Sequence, residues 1–333
     1  MKAIVVYPPT QSEKETHPRL VWEEVPDVAH GPDEVLVAVQ ATAVNRADLL
    51  QAAGGYPPPP GASDILGLEM AGKITAVGEN VRGWQVGDRV AALLPGGGYA
   101  QYAAVPAGML MRLPETWTYE QGAAIPEVWL TAYVNLFVEG NLQAGETVLI
   151  HAGASGVGTA AIQLARASGA RPFVTAGSAE KLARCRALGA ELAVNYKEKD
   201  WLPAVLEATN GEGVNLILDP VGANYFQRNL DALAWRGRLV CIGLLSGGQI
   251  GEVNMAAILR RRLKVIGSTL RTRPLAEKIQ LTHDFNERFG SLWHTDELSP
   301  IIDISFPIAR AQEAHAYVRQ NRNVGKVILN EIA

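Results

Sequence analysis

The feature that most constrains the fold is a glycine-rich turn held between a strand pattern and a helix pattern. Residues 147–151 form an apolar run typical of a buried strand, and residues 159–168 follow a helical pattern. Between them stands Ala-Gly-Ala-Ser-Gly-Val-Gly, ending at Gly158. Such small residues let a backbone approach a pyrophosphate, whose charge the N–H groups of the helix start can bind. The turn predicts dinucleotide binding, although it matches G-x-G-x-x-G only loosely and could simply be a tight turn.

Beyond residue 125, strand-like runs alternate with helical patterns of 10 to 15 residues, which predicts a βαβ domain. Six runs are strand candidates, enough for one parallel sheet with two mononucleotide-binding halves. The candidates are residues 147–151, 171–175, 192–196, 216–219, 238–243 and 263–270.

The chain before residue 126 is instead rich in glycine and proline, with short strand-like runs at 34–43, 70–77 and 89–94. A β-rich domain is expected there. After residue 270 we predict a helix to 289, a strand at 301–306, a helix at 308–320 and a strand at 326–329. The predicted organisation is therefore a catalytic domain over 1–125, a dinucleotide-binding domain over 126–271, and a return to the first domain over 272–333.

Composition excludes several classes of protein. The 30 Lys and Arg residues against 34 Asp and Glu residues give a net charge of -4, which makes nucleic acid an unlikely partner. The two cysteines, Cys185 and Cys241, are too few for a disulfide framework and suit a reducing compartment. No segment is long and apolar enough for a signal peptide or a membrane span. We therefore expect a cytoplasmic protein that does not enter a membrane.

The second predicted strand of the βαβ domain indicates which dinucleotide is bound. NAD-specific sites normally carry a carboxylate at the end of this strand, but here none occurs before Glu180. Ser178 and Lys181 offer a hydroxyl and an ammonium, which suit a 2′-phosphate. The alternative is a serine that caps a helix beside a solvated lysine. The pattern favours NADPH.

Five stretches together resemble one family over nearly the whole chain. The sequence resembles the zinc-independent quinone oxidoreductases of the medium-chain dehydrogenase/reductase superfamily, closest to the branch that includes the tumour-suppressor-induced enzyme of animals and its bacterial relatives. The resemblance implies an α/β fold class, with a GroES-like β-rich catalytic domain and a Rossmann domain of strand order 3-2-1-4-5-6. The stretches are residues 45–49 (Asn-Arg-Ala-Asp-Leu), 58–63, 93–98, 125–132 and the turn through Gly158.

The resemblance also implies site residues. Tyr56 and Asn45 would line the substrate side as catalytic residues. The alternative for Tyr56 is packing on the proline run, and the alternative for Asn45 is a helix N-cap, a role that it could also have in addition. The implied cofactor contacts are Ser155, Gly156 and Val157 at the pyrophosphate; Ser178, Lys181 and Tyr196 at the 2′-phosphate and adenosine; Asn45, Thr131, Ile242, Gly243 and Leu244 at the nicotinamide; and Leu270 and Asn323 from later segments.

Zinc-dependent relatives of this family place a Cys near the present Asn45 and a His at the present Leu68. Because both are missing, we expect no metal, and therefore no Lewis acid to polarise an alcohol. The acceptor should already be electrophilic, which favours NADPH-dependent reduction of quinones. A 2-alkenal or enoyl-thioester reductase is the alternative enzyme, and an NADPH-binding structural or regulatory protein is the alternative without catalysis.

We also expect a homodimer or dimer-based oligomer, since the family usually pairs Rossmann domains edge to edge. The run 238–243 and its following loop are the predicted edge segment.

Overall fold

The computed structural model describes residues 1–9, 17–295 and 297–332, which form two compact units. The first unit comprises Met1–Leu130, Arg271–Thr295 and the chain from Pro300 onward, and the second comprises Thr131–Leu270 with a short segment ending at Ser299. The boundary between Leu130 and Thr131 falls inside a helix, a few residues beyond the one predicted after residue 125.

Within the described residues, the strands are β1 (Lys2–Tyr7), β2 (Arg19–Glu24), β3 (Glu34–Val44), β4 (Glu69–Val77), β5 (Arg89–Leu93), β6 (Tyr102–Pro106), β7 (Leu110–Arg112), β8 (Thr147–Ile150), β9 (Arg171–Ala176), β10 (Leu192–Asn195), β11 (Val214–Asp219), β12 (Leu233–Cys241), β13 (Lys264–Gly267), β14 (Ile302–Pro307) and β15 (Lys326–Asn330).

The α-helices of the same residues are α1 (Arg46–Ala52), α2 (Tyr119–Ala123), α3 (Pro126–Tyr133), α4 (Gly156–Ala167), α5 (Ala179–Ala187), α6 (Trp201–Ala208), α7 (Phe226–Ala232), α8 (Met255–Arg261), α9 (Leu275–Phe289) and α10 (Ala311–Arg319). Short 3₁₀ helices cover Ala107–Met109, Ala223–Tyr225, Gly290–His294 and Ile308–Arg310, and a π-helix covers Val134–Glu139.

The second unit is a Rossmann domain. Its six strands are all parallel, in the order β10-β9-β8-β11-β12-β13, which confirms the predicted order 3-2-1-4-5-6. All six predicted strands are present. The four residues of β8 are all buried, as expected for a central parallel strand covered on both faces. The fully buried Leu149, Phe173 and Ile217 belong to its apolar core.

The first unit is the β-rich, GroES-like unit. Its main sheet has the order β14-β15-β3-β4-β5-β7, with β6 pairing β3, and β1 and β2 form a separate hairpin. The later segments belong to this unit because β15 pairs antiparallel with β3. Small residues such as Ala41, Ala71 and Ala91 are buried where α2 packs on the sheet.

The structure corrects the predicted edge segment. Residues 238–241 lie in β12, which is paired on both sides by β11 and β13. The outermost strands of this sheet are β10 and β13, and β13 is the one next to the predicted segment. Among the described residues, no helix is both long enough and apolar enough to span a membrane.

Candidate dinucleotide and acceptor sites

The glycine-rich turn connects β8 to α4 in the second unit, at the carboxyl ends of the parallel strands. Ser155 is the N-cap residue of α4, and its Oγ accepts a hydrogen bond from Gly158 N at 3.0 Å. The N–H groups of Gly156 and Val157 lie in the first turn, where a helix offers them no acceptor. These two donors, at the positive end of the helix, can bind a pyrophosphate.

Gly158 is required by space. A Cβ at this position would lie 2.5 Å from the carbonyl oxygens of both Ala152 and Gly153, closer than any side chain can stand. The turn therefore leaves room only for glycine at position 158. Its free donors and lack of side-chain bulk fit a dinucleotide.

The next two strands bring three further predicted residues to the same edge. Ser178 follows β9 and caps α5, its Oγ accepting from Lys181 N at 3.3 Å. Tyr196 follows β10 and is 45% exposed. A Cβ on Gly177 would lie 2.8 Å from the Tyr196 hydroxyl, so the tyrosine reaches across the loop that ends in Ser178. The Ser178 hydroxyl and the Tyr196 ring therefore lie at this loop, and Lys181 lies in the first turn of the helix that follows it.

The loop after β12 supplies the remaining predicted contacts at this edge. Ile242 N donates to Asp219 O at 2.9 Å, which ties the loop to the end of β11. Gly243 packs closely on Pro220, because a Cβ there would approach the Pro220 carbonyl oxygen to 2.9 Å. Leu244 is exposed.

A buried polar chain lies between these strand ends. His151 Nδ1 is 2.9 Å from Thr175 Oγ1, and its Nε2 is 2.8 Å from Asn229 Oδ1. Asn229 Nδ2 in turn donates to Asp219 Oδ2 at 3.0 Å. Burial lowers the pKa of His151 to about 4, so the ring is neutral at physiological pH. His151 therefore fixes the strand ends through neutral hydrogen bonds.

In the first unit, Asn45 directly follows β3 and stands at the N-cap position of α1. Its side chain is nearly buried, with Oδ1 accepting from Lys326 Nζ and Nδ2 donating to Glu69 Oε1, both at 2.7 Å. Both polar atoms of the Asn45 amide are thus engaged by neighbouring side chains.

An ion pair that was not predicted from the sequence lies at the centre of this cluster. Lys326 Nζ lies 2.7 Å from Glu69 Oε1, and the two residues are only 3% and 0% exposed. The other carboxylate oxygen of Glu69 accepts from Glu127 N at 2.8 Å, which ties the start of α3 to β4. The available signal was a lysine at the head of an apolar strand, since lysine is almost never fully buried without a partner.

Glu127 was also missed, although it is an acidic residue within an apolar helix. Burial raises its pKa to about 8, and the Glu69 carboxylate adds to this effect while Lys326 opposes it. The Glu127 carboxyl is therefore largely protonated at neutral pH. Its charge, when present, also influences Tyr56 and Arg271, so it belongs to the same electrostatic neighbourhood.

Tyr56 is half-buried against Arg271, whose guanidinium lies 5.2 Å from the centre of the tyrosine ring. Arg271 Nη2 donates to Pro95 O at 2.6 Å and to Gln51 Oε1 at 2.7 Å. These bonds fix the guanidinium, which holds the Tyr56 ring in one orientation. Burial raises the pKa of the Tyr56 hydroxyl, so the ring is uncharged.

The predicted contacts thus divide between the units. The contacts on the loops after β8, β9, β10 and β12 all lie at the carboxyl ends of the parallel strands of the Rossmann sheet. Thr131, whose carbonyl accepts from Asn135 Nδ2 at 2.7 Å, and the buried Leu270 stand at the two ends of the second unit's main segment. Asn45, Tyr56 and Asn323 belong to the first unit, where Asn323 Nδ2 donates to Gly325 O at 2.8 Å.

Two family models match the chain. The model described as alcohol dehydrogenase GroES-like domain matches residues 31–115, and the model described as zinc-binding dehydrogenase matches residues 156–286. The first match lies in the β-rich unit, and the second lies mostly in the Rossmann unit.

Similar proteins cover 90% or more of the chain. The quinone oxidoreductase of Pseudomonas aeruginosa is 36% identical over 307 residues, which is 90% of this chain and 91% of that protein. The structure of Escherichia coli quinone oxidoreductase complexed with NADPH is 28% identical, with a TM-score of 0.85 over 99% of this chain and 100% of that one. The structure of CurK enoyl reductase is 29% identical, with a TM-score of 0.82 over 99% and 98%. The chain is an oxidoreductase that belongs to the quinone oxidoreductases of the medium-chain dehydrogenase/reductase superfamily.

Proposed function

We propose that this oxidoreductase reduces quinones with NADPH and without a metal. The observation that carries the proposal is the buried network of Lys326, Glu69 and Asn45. By the resemblance, Asn45 stands near the position of a Cys ligand in zinc-dependent relatives. Without a Lewis acid, the acceptor must be electrophilic before it binds, as quinones are.

A zinc ion does not fit these side chains, in spite of the name of the second family model. Asn45 and Leu68 occupy the positions of the Cys and His ligands, and the Glu69 carboxylate is already bound by an ammonium. A divalent cation beside Lys326 would be repelled. Both cysteines, Cys185 and Cys241, belong to the second unit.

The loops at the carboxyl ends of the Rossmann strands would hold NADPH. The amides of Gly156 and Val157 would bind the pyrophosphate, and Ser178, Lys181 and Tyr196 would surround the 2′-phosphate. When bound, NADPH supplies a hydride from its nicotinamide ring. The chain contributes by holding donor and acceptor in register, an effect that supplies several kcal/mol in well-oriented reactions.

On the acceptor side, Tyr56 offers a planar apolar surface to a planar quinone ring. Arg271 keeps that surface in place. The reduced quinone also takes up a proton, and Glu127 carries one at neutral pH because of its raised pKa. Asn45, whose amide oxygen and nitrogen are bonded to Lys326 and Glu69, would act by holding this buried pair.

The second candidate is reduction of an activated alkene, such as a 2-alkenal or an enoyl thioester. The similarity to CurK enoyl reductase favours it. The same residues would serve, because an enal also delocalises the arriving negative charge onto an oxygen.

We further propose a homodimer that forms through β13. This strand is paired on one side only, and its Val265 is exposed. Leu259, 81% exposed, and Trp235 add apolar surface on the neighbouring elements α8 and β12. An unpaired edge flanked by exposed apolar side chains is a surface that a second copy can cover.

The acceptor role of Tyr56 is tested with two variants. Tyr56→Ala removes the ring and should lower kcat for 1,2-naphthoquinone by about 10-fold, the loss expected for one aromatic contact, while NADPH affinity stays close to wild type. Tyr56→Phe keeps the ring and should retain most of the activity. Equal effects of Tyr56→Ala on quinone turnover and NADPH affinity would contradict the assignment.

A further inference from the structure

Lys197 lies across the same loop as Tyr196. A Cβ built on Gly177 would stand 3.1 Å from Lys197 Cε and 2.8 Å from the Tyr196 hydroxyl. Gly177 immediately precedes Ser178, the N-cap residue of α5. The end of the Lys197 side chain is therefore beside the loop to which the 2′-phosphate contacts are assigned.

The Lys197 ammonium is available for a ligand. In the part of the chain that the structure describes, no carboxylate oxygen lies within 4.0 Å of its nitrogen. The nearby acids are engaged elsewhere: Glu198 accepts from Asn195 Nδ2 at 2.7 Å, and Asp200 forms an ion pair with Arg228. Lys197 is exposed and also lines an open pocket of about 270 Å³.

We infer that Lys197 is a second cation for the 2′-phosphate and helps to determine the preference for NADPH over NADH. The inference rests on the proposed use of NADPH. A phosphate monoester carries a charge of about -1.5 to -2 at pH 7, which a single lysine does not neutralise. Lys181 lies in the first turn of α5 and Lys197 follows β10, so the two lysines belong to different elements.

The absence of a side chain at Gly177 also affects this contact. The atoms that a Cβ would meet are the far ends of flexible side chains, so alanine can be accommodated by displacing Tyr196 and Lys197. Gly177→Ala should then weaken the phosphate contact without removing any charge.

The test measures binding by calorimetry, with NADP⁺, NAD⁺ and 2′,5′-ADP as ligands. Lys197→Ala should weaken binding of NADP⁺ and of 2′,5′-ADP by about 10-fold, the loss typical of one charge-assisted contact, and leave NAD⁺ binding within about twofold. Lys73→Ala is the matched control, since it removes the same charge from an exposed lysine of the first unit and should change the binding of all three ligands little. Gly177→Ala should reproduce the selective loss while its thermal unfolding stays close to that of wild type.

Two results would overturn the inference. One is an equal loss of NADP⁺ binding in Lys197→Ala and Lys73→Ala, which would reduce the effect to general surface charge. The other is an equal loss of NADP⁺ and NAD⁺ binding in Lys197→Ala. A wild-type protein with no preference for NADP⁺ would instead contradict the proposed cofactor itself.

Discussion

Among single residues, the buried pair of Lys326 and Glu69 has the largest consequence. Two charges removed from water cost several kcal/mol each unless they are paired and fully hydrogen-bonded. Here Lys326 contacts Glu69, Asn45 Oδ1 and Val44 O, and Glu69 also accepts from the Glu127 amide. Loss of either charge leaves the other buried without a counter-ion.

Lys326→Met should therefore lower the free energy of unfolding by about 3–5 kcal/mol, measured by urea denaturation. The double variant Lys326→Met, Glu69→Gln should recover part of this loss, because no bare charge remains. A single variant that is as stable as wild type would show that the pair is not buried as described.

Glu127 gives a prediction about pH. Its folded-state pKa of about 8 lies above its ordinary value of 4.5, so unfolding releases a proton between these two pH values. The contribution of Glu127 to the free energy of unfolding therefore falls as pH rises from about 4.5 to about 8. Glu127→Gln has no proton to lose, and its stability relative to wild type should increase across this range.

Urea denaturation of wild type and Glu127→Gln at about pH 5 and about pH 8 measures this difference. The exposed Glu115→Gln is the matched control, and its difference from wild type should be the same at both pH values. A constant difference for Glu127→Gln as well would mean that the carboxyl is ionised throughout.

Among the secondary-structure elements, the turn between β8 and α4 is the critical connection. Glycine to alanine inside a helix normally stabilises it by about 1 kcal/mol. Gly158→Ala should do the reverse, because its Cβ would meet two carbonyl oxygens at 2.5 Å and push the turn open.

We expect Gly158→Ala to lower Tm and to weaken NADP⁺ binding by more than about 10-fold, as measured by thermal unfolding and calorimetry. Gly251→Ala is the control, since no atom lies within 4 Å of the position that a Cβ would take there. A Gly158→Ala variant that binds NADP⁺ like wild type would place the pyrophosphate elsewhere.

The sequence was most informative about the strands and helices of the Rossmann unit. Alternating apolar runs predicted the strands of the Rossmann sheet within a few residues, since a buried parallel strand is a local pattern. The cluster around Glu69 could not be predicted in this way. Glu69 and Lys326 are 257 residues apart in sequence, and only the pairing of β15 with β3 brings the lysine to the end of β3. The π-helix at 134–139 likewise follows from no local pattern that we recognised.

For the chain as a whole, the open edge of β13 predicts the oligomeric state. Light scattering at micromolar concentration should give about twice the 35.7 kDa of one chain. Val265→Lys places a charge on the edge strand and should shift the protein towards monomer. Val86→Lys, at another exposed valine in the first unit, should leave the dimer intact. A wild-type protein that is monomeric under these conditions would contradict the proposal.

The proposed function depends above all on the acceptor being a quinone. The decisive quantity is kcat/KM at saturating NADPH for 1,2-naphthoquinone, 1,4-benzoquinone and a simple 2-alkenal. We predict that at least one quinone is preferred over the alkenal by about 10-fold or more, because the acceptor side presents a fixed planar ring and no metal. An alkenal that is turned over far better than either quinone would contradict the proposed function and identify the protein as an alkene reductase.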